Sequence, residues 1–221
     1  AHVVALIPAF DEADRVGETV AAALTLPGVE EVVVVDDGSS DDTSAVAAGA
    51  GARVIRLERN AGKGAALSEG IKQADADIYL LLDADLGHSA RQTAPLLEPV
   101  AAGLADMTIA AMRPPPGHKG GFGLVMRLSR WAVRRLGGAE ISAPLSGQRA
   151  LRREVIEQVG GFEERFGLET ALTIDALRRG FRVVEVPLDL THRATGRDLK
   201  GFLHRGRQFR DVAMAVWRRR R

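Results

Sequence analysis

The stretch Ile78–Asp85, with the sequence IYLLLDAD, joins an apolar run to a pair of carboxylates. The run predicts a buried strand, and Asp83 and Asp85 follow at its carboxyl end. Ligands of open α/β sheets bind at the carboxyl ends of the strands. Two carboxylates two residues apart suit a hard divalent cation such as Mg²⁺ or Mn²⁺, which prefers oxygen ligands. The alternative is an acidic strand end that faces solvent, because aspartate is common in turns.

Strand-like and helix-like segments alternate on both sides of this stretch, through residue 112. Apolar runs predict strands at Val3–Ile7, Glu31–Val35, Arg53–Leu57, Asp77–Leu82 and Asp106–Met112. Helical spacing lies between them, at residues 12–25, in the Ala-rich segment after Thr43, from residue 62 to about Ala74, and near Arg91–Ala102. The alternation predicts an α/β fold with a mostly parallel sheet and helices on both faces. We expect one domain, with a ligand-binding half at residues 1–112 and a second half at residues 113–221.

Composition is that of an ordinary globular protein, with 46% hydrophobic and 27% charged residues among 221. The absence of cysteine excludes disulfides and thiolate metal sites. No apolar run reaches the roughly 18 residues that span a bilayer. The net charge of +1 conceals a basic end, because residues 192–221 hold ten Lys and Arg side chains against Asp198 and Asp211. This asymmetry favours an anionic partner.

The second half opens with a Pro- and Gly-rich segment, residues 113–121, which predicts a mobile loop. Residues 122–136 then predict an amphipathic helix with Trp131 between its two faces. The apolar face holds Val125, Leu128, Ala132 and Leu136, and the opposite face holds Arg127, Arg130 and Arg134. This helix either packs on the sheet with a solvated basic face or touches anionic lipid, as helices with Arg, Trp and Leu do. We further expect helices near Arg152–Val159 and Leu168–Arg179, a strand at Arg182–Pro187, and a helical basic tail from Lys200 to Arg221.

Several strand ends of the first half carry groups that suit a nucleotide diphosphate. Gly62-Lys63-Gly64 opens a predicted helix, where backbone N–H groups and one ammonium are able to hold a phosphate. Asp37 ends the second strand, where it is placed to accept hydrogen bonds from a base or ribose. The chain has neither the Walker spacing nor a G-x-G-x-x-G after its first strand, so a P-loop or dinucleotide site is not expected.

Together these motifs give the chain a clear family resemblance. It resembles the family 2 glycosyltransferases, which have the GT-A fold with a Rossmann-like sheet. The matching motifs are Ile7-Pro8-Ala9-Phe10-Asp11-Glu12, Val35-Asp36-Asp37-Gly38-Ser39, Asn60-x-Gly62-Lys63-Gly64 and Asp83-Ala84-Asp85. Within the family the chain most resembles the dolichol-phosphate (polyprenyl-phosphate) mannosyltransferase branch. The motifs of that branch are Asp83-Ala84-Asp85-Leu86-x-His88, Ser146-Gly147-x-Arg149, Glu185-Val186-Pro187, and Arg193 followed by Gly196.

The resemblance implies a role for each matching residue. The donor nucleotide would contact Pro8, Ala9, Glu12, Asp37, Lys63, Asp83, Ala84 and Arg193. A divalent Mg²⁺ or Mn²⁺ would be held by Asp83 and Asp85, with Asp85 the surest ligand. The resemblance places Glu169 beside the acceptor, and it places Arg113 and Arg149, with Asp85, at the catalytic centre. The three arginines Arg113, Arg149 and Arg193 would form a clamp on phosphates.

The chain also departs from the pattern of that branch. Asp11 stands in place of the usual Asn, and Gln148 in place of an aromatic residue. Gly87 occupies a position where lipid-linked members often have a metal-binding Gln, which leaves a gap in the coordination that His192 would fill. The final Gly-x-Ser-Lys is replaced by Gly196-Arg197-Asp198. These departures leave the acceptor and the sugar open.

Three functions follow from the resemblance. The first is an inverting transferase that moves a sugar from a UDP- or GDP-linked donor to a polyprenyl phosphate, with the protein bound peripherally to anionic lipid at the cytoplasmic membrane face. The second is a related transferase with a soluble acceptor such as a phosphoglycerate, and the third is a non-catalytic nucleotide-sugar-binding module. The intact D-A-D motif argues against the third. No nucleic-acid partner is expected, and the oligomeric state is open, with a homodimer as one option.

Overall fold

A computed structural model describes residues 1–112, 123–162 and 167–188, together with residues 213, 214, 217 and 219. Its strands are β1 (Val3–Ala9), β2 (Val29–Asp36), β3 (Arg53–Arg56), β4 (Ile78–Leu81), β5 (Met107–Met112), β6 (Arg149–Arg152) and β7 (Val183–Leu188). Its α-helices are α1 (Ala13–Ala23), α2 (Thr43–Gly49), α3 (Lys63–Gln73), α4 (Leu97–Ala101), α5 (Gly123–Ala132), α6 (Arg153–Val159) and α7 (Leu168–Arg178). A 3₁₀ segment, Gly87–Leu96, precedes α4, and a π-helical segment, Val133–Gly137, follows α5.

The seven strands form one sheet in the order β3-β2-β1-β4-β6-β5-β7. β6 is antiparallel to both of its neighbours, while every other pair is parallel. The carboxyl ends of β1, β2, β3 and β4 therefore share one edge of the sheet, where the loops that follow them meet. This edge carries the polar motifs of the first half.

Both faces of the sheet are covered, as the near-continuous apolar strands require. Alternate side chains of β1 point to opposite faces, so Leu6 belongs to one core and Ile7 to the other. The core on the Leu6 side includes residues of α3, α5, α6 and α7. The core on the Ile7 side includes residues of α1, α2, the 3₁₀ segment and α4. The predicted α/β architecture is confirmed.

The sequence-based prediction differs from this architecture at two elements. The helix expected near Arg91–Ala102 is a 3₁₀ segment followed by the short α4, and Pro95 lies inside the 3₁₀ segment, where it removes a backbone donor. Strand β6 was not predicted, because its four residues, Arg149–Arg152, place only two apolar side chains between two arginines. β6 matters because it carries Arg149 into the centre of the sheet.

The predicted amphipathic helix packs its apolar face inside the protein. Val125 and Ala132 of α5 are buried in the core, and Leu128 and Leu136 pack against it. Ser129 is buried as well, and it is linked to α7 by the hydroxyl of Thr170 at 3.1 Å. The basic face stays exposed. None of the helices within the described residues has the length and hydrophobicity needed to cross a membrane.

Candidate active site

Lys63, the first residue of α3, forms the centre of a charged cluster at the shared edge of the sheet. Its ammonium lies 2.7 Å from the Oδ1 atom of Asp83 and 3.1 Å from the Oε1 atom of Glu169. Partial removal from water lowers the pKa of Lys63, but the charges of the two carboxylates outweigh that effect and raise the pKa above its ordinary value. Lys63 is therefore a permanent cation that joins the end of β4 to the start of α7.

The second oxygen of Asp83 is also engaged. The buried amide of Gln148 donates to Oδ2 at 2.6 Å. Gly147 makes this approach possible, because a Cβ atom there would lie 2.7 Å from the Lys63 ammonium and 2.8 Å from both oxygens of Asp83. The Ser146-Gly147-Gln148 stretch thus closes over the Lys63–Asp83 pair, and a larger residue at its middle position would displace that pair. The sequence motif did not indicate this contact between Gln148 and Asp83.

Asp85 differs from Asp83 in its contacts. Its carboxylate is partly exposed and makes no hydrogen bond or ion pair with any residue that the structure describes. An ionised carboxylate without a partner, beside a charged cluster, suits an oxygen-ligating cation. Among the described residues no group of three or more His, Asp and Glu side chains is arranged to hold a metal. Mg²⁺ fits such a site, because it commonly takes one or two protein carboxylates together with substrate phosphates.

Asp37 supports the loop before α3. Both of its oxygens accept backbone hydrogen bonds at 2.8 Å, from the N–H groups of Ala61 and Gly62. These donors are therefore engaged, and the Lys63 ammonium is held by two carboxylates. Binding of a phosphate by the remaining groups of Gly62-Lys63-Gly64 stays a prediction. The nucleotide contacts predicted for Asp37 and Lys63 stay predictions.

The loops after β1 and β2 hold each other in place. The Asp11 carboxylate accepts from the N–H of Ser40 at 2.7 Å, and the Ser39 hydroxyl accepts from the N–H of Asp11 at 2.9 Å. Asp11 has a φ of 52°, in the left-handed region that Asn and Asp tolerate best among non-glycine residues. This conformation explains why Asp serves where relatives of the predicted branch have Asn.

The remaining predicted nucleoside contacts lie at the same edge. Pro8 and Ala9 end β1, with Pro8 partly exposed and Ala9 buried. The N–H of Glu12 donates to the Thr43 hydroxyl at 2.9 Å, which ties the start of α1 to α2. Ala84 is buried between the two aspartates of the D-A-D motif. The structure thus brings these four residues to one edge of the sheet, and their contacts with a nucleotide stay predictions.

Arg149 lies in the interior of the protein. It is 1% exposed, and its guanidinium donates to the carbonyls of Ser146 at 2.8 Å and Pro144 at 2.9 Å, and to the Thr173 hydroxyl at 2.9 Å. Burial lowers its pKa to about 10, although Glu169 and Glu185 act in the opposite direction. The group stays charged at neutral pH, but all three of its nitrogens are engaged. These contacts make Arg149 a support for the 144–146 segment, and its predicted contact with a phosphate stays a prediction.

Glu185 of β7 holds the segment just before this one. Its carboxylate accepts from the N–H and hydroxyl of Ser142 at 2.9 Å each, and from the N–H of Ala143 at 2.7 Å. The predicted Glu185-Val186-Pro187 motif therefore has a structural use. Three other predicted site residues, Arg113, His192 and Arg193, lie outside the described residues, as do the loop at 113–121 and most of the basic tail.

Comparison with known proteins places this geometry in context. A sequence model of the family described as Glycosyl transferase family 2 matches residues 4–160. The dolichol-phosphate mannosyltransferase of Pyrococcus furiosus is 30% identical over 89% of this chain and 58% of its own length. The glucosyl-3-phosphoglycerate synthase of Mycolicibacterium paratuberculosis is 30% identical over 79% of this chain and 59% of its own length. The chain thus spans less than two thirds of either enzyme.

A solved structure resembles nearly the whole chain. The glucosyl-3-phosphoglycerate synthase of Mycobacterium tuberculosis, in complex with Mn²⁺, uridine diphosphate and phosphoglyceric acid, matches with a TM-score of 0.81 and 27% identity. The match covers 99% of this chain and 78% of that one. This likeness confirms the predicted fold class of a mostly parallel, GT-A-type sheet with helices on both faces.

Proposed function

This chain belongs to glycosyl transferase family 2, and we propose that it moves a sugar from a nucleotide-diphosphate sugar to a polyprenyl phosphate at the cytoplasmic face of a membrane. In this reaction an oxygen of the acceptor phosphate attacks the anomeric carbon of the sugar. The bond from that carbon to the diphosphate breaks, and the nucleoside diphosphate leaves with the bonding electrons. The displacement inverts the configuration at the sugar.

The observation that carries the lipid acceptor is the exposed surface of α5 and the π-helical segment after it. Arg127, Arg130 and Arg134 are exposed there, and Trp131 is 38% exposed beside them. The apolar side of the same helix is buried, and its outer side presents basic groups to the surroundings, although Arg130 also donates to the Ser142 carbonyl at 2.7 Å. Basic side chains at an anionic lipid surface contribute about 1 kcal/mol each, and Trp favours the membrane interface. A soluble acceptor gives no reason for such a surface.

The state of Glu169 supports the same acceptor. A sugar or glycerate hydroxyl needs a general base, but one oxygen of the Glu169 carboxylate is already held 3.1 Å from the Lys63 ammonium, which leaves its second oxygen to accept a proton. A phosphate monoester has a second pKa near 6 and arrives mostly ionised, so it needs placement more than deprotonation. The Glu169–Lys63 pair therefore suits an acceptor that is already an anion.

The cation in this proposal is Mg²⁺ or Mn²⁺, and Asp85 is the described residue that would hold it. Asp83 suits that role less well, since Lys63 and Gln148 occupy its two oxygens. His192, the other predicted ligand, lies outside the described residues. When bound, the cation neutralises charge on the leaving diphosphate. Lys63 adds a fixed positive charge at the same edge of the sheet.

Transfer of a radiolabelled sugar tests the proposal. The protein is incubated with UDP- or GDP-linked sugars and Mn²⁺, and with either a polyprenyl phosphate or 3-phosphoglycerate as acceptor. Label that partitions into organic solvent only when polyprenyl phosphate is present supports the proposal. Label that stays in water and depends on phosphoglycerate contradicts the acceptor while leaving the transferase intact. Absence of transfer to either acceptor favours a non-catalytic module.

A soluble acceptor is the second candidate. Its support is the structural likeness, over 99% of this chain, to a synthase whose complex holds phosphoglyceric acid. The presence of Gly87 where lipid-linked members often have Gln points in the same direction. Under this candidate Glu169 acts as the general base through its second oxygen.

A further inference from the structure

Thr19 makes an unusual pair of contacts from the middle of α1. Its side chain is fully buried, and its hydroxyl donates to the carbonyl of Ala84 at 2.7 Å. The same oxygen accepts from the N–H of Gly87 at 2.8 Å. A hydroxyl has one donor and two acceptor positions, so both bonds form together. Thr19 thus joins the α1 helix to two backbone groups that are separated from it by more than sixty residues of sequence.

The two backbone groups stand on either side of Asp85. The carbonyl of Ala84 belongs to the peptide that leads into Asp85, and the N–H of Gly87 follows two residues later. The Asp85 side chain makes no hydrogen bond or ion pair with the described residues. The direction of its carboxylate is therefore set by the backbone of the turn, and Thr19 holds that turn at both ends.

Gly87 shows how closely the turn is pressed against α1. Its φ is 55°, in the left-handed region, and a Cβ atom there would lie 2.9 Å from the Oε2 atom of Glu18 and 3.4 Å from the Nη1 atom of Arg15. A Gln side chain at this position is thus disfavoured by the backbone conformation, and it would also require the ends of the Glu18 and Arg15 side chains to move. The turn is anchored through its backbone, and the anchor is the buried hydroxyl.

We infer that Thr19 is a positioning residue that sets the Asp85 carboxylate for the divalent cation. The inference rests on the proposed function, in which Asp85 holds that cation. Groups that orient a metal ligand without touching the metal typically change metal affinity roughly 10- to 100-fold when they are lost. Replacing Thr19 by Val keeps the shape of the side chain and leaves the Ala84 carbonyl and the Gly87 N–H without their partner.

Binding of Mn²⁺ tests the inference without any measurement of turnover. The electron paramagnetic resonance signal of free Mn²⁺ is followed in titrations of the full chain, with and without uridine diphosphate. We expect Thr19→Val to weaken Mn²⁺ binding roughly 10- to 100-fold and Thr19→Ser to restore it. Thr25→Val is the matched control, since the Thr25 hydroxyl donates only to the nearby carbonyl of Ala22, and it should bind Mn²⁺ normally.

Two further variants separate the possible failures. If Asp85→Ala loses Mn²⁺ binding but Thr19→Val binds like the unaltered protein, the positioning role is wrong and the proposed cation site stands. If Asp85→Ala also binds like the unaltered protein, the cation site itself is wrong. A thermal melt accompanies each titration. If Thr19→Val does not fold, Gly87→Ala takes its place: weakened Mn²⁺ binding in that folded variant supports the role of the turn, and normal binding overturns it.

Discussion

The loops at the ends of β1 and β2 and the segment 141–149 use charge in different ways. In the first region, carboxylates accept hydrogen bonds from backbone N–H groups of neighbouring loops, as Asp37 does from Ala61 and Gly62. The second region is one segment, held by a buried cation on β6 and a carboxylate on β7. Those two side chains are Arg149 and Glu185. The first region, which we assign to the donor side under the proposed function, is a mutually supported platform, whereas the second, which we assign to the acceptor side, depends on a few buried contacts.

This difference separates two kinds of charged side chain. Building charges are those that bond to other parts of the protein and hold the site together, and the remaining charges are those left to bind ligands. On the proposed donor side the Asp85 carboxylate makes no hydrogen bond or ion pair with the described residues, whereas nearby Asp83 is held by Lys63 and Gln148. On the acceptor side the buried arginine is engaged, and the exposed arginines lie on α5. We therefore expect substitutions of building charges to lower stability, and substitutions of the remaining charges to lower turnover or binding.

The largest expected effect is that of Asp85→Ala. We expect turnover to fall about 10³-fold, because a group that stabilises developing charge in a closed site contributes on that scale. The unfolding temperature should not fall, since the side chain makes no contact that stabilises the fold. Asp14→Ala, an exposed carboxylate in the first turn of α1, is the control and should leave both quantities unchanged. If Asp85→Ala keeps most of its activity, the role of Asp85 in turnover is wrong.

Arg149→Met should act on the fold instead. The substitution keeps an unbranched apolar stem but leaves the carbonyls of Pro144 and Ser146 without a donor, and we expect a loss of about 3 kcal/mol in the free energy of unfolding. Chemical denaturation measures this loss, and nucleotide binding by the residual folded protein should be nearly normal. Arg149→Lys, which restores the charge and one hydrogen bond, should recover part of the stability. A stable variant with weak substrate binding would return Arg149 to the phosphate clamp.

The sequence predicts the donor side better than the acceptor side, for a physical reason. Strands such as β4 are continuous apolar runs, and motifs at their ends are local in sequence. The contact of Gln148 with Asp83 joins residues 65 positions apart, and the contact of Thr19 with Ala84 does the same. Neither a buried amide nor a hydroxyl in a helix has a sequence pattern that marks it. Burial of Arg149 likewise follows from β6, which is too short to recognise.

Membrane binding tests the exposed surface of α5. The triple substitution of Arg127, Arg130 and Arg134 by Gln should weaken binding to anionic vesicles by about 2–3 kcal/mol at low salt, since each basic side chain contributes about 1 kcal/mol. Co-sedimentation measures the effect, which should shrink as salt rises. Arg91→Gln, on the opposite face of the sheet, is the single-charge control. Equal binding of the unaltered protein to neutral and anionic vesicles would refute the lipid partner.

Asp36→Asn tests the donor platform through pH. Burial raises the pKa of this carboxyl. Hydrogen bonds from Ser39 and Ser44 and the charge of Arg56 lower the pKa by more than burial raises it, so the pKa lies below the ordinary 3.8. Because the folded pKa is lowered, the ionised group contributes its full stability above pH 3.8 and loses it as the pH falls through the folded value. We expect the variant to lose about 2 kcal/mol of stability at pH 7. Melts near pH 3 should show a smaller difference, and an equal difference at both values would contradict this account.

The smallest effect is expected for Glu169→Gln, which distinguishes the two acceptors. With a polyprenyl phosphate, kcat/KM should fall less than about tenfold, since no general base is lost and the amide oxygen still accepts from Lys63. With a hydroxyl acceptor the loss should be about 10²–10⁴-fold, and the residual rate should rise with pH as hydroxide replaces the base. The pH profile of kcat/KM, measured beside that of Lys63→Met, separates these outcomes. Because Lys63→Met disturbs both carboxylates of the cluster, we expect it to lower kcat/KM for a phosphate acceptor more than Glu169→Gln does. The reverse order, with rescue at high pH, would assign the acceptor side to a hydroxyl substrate.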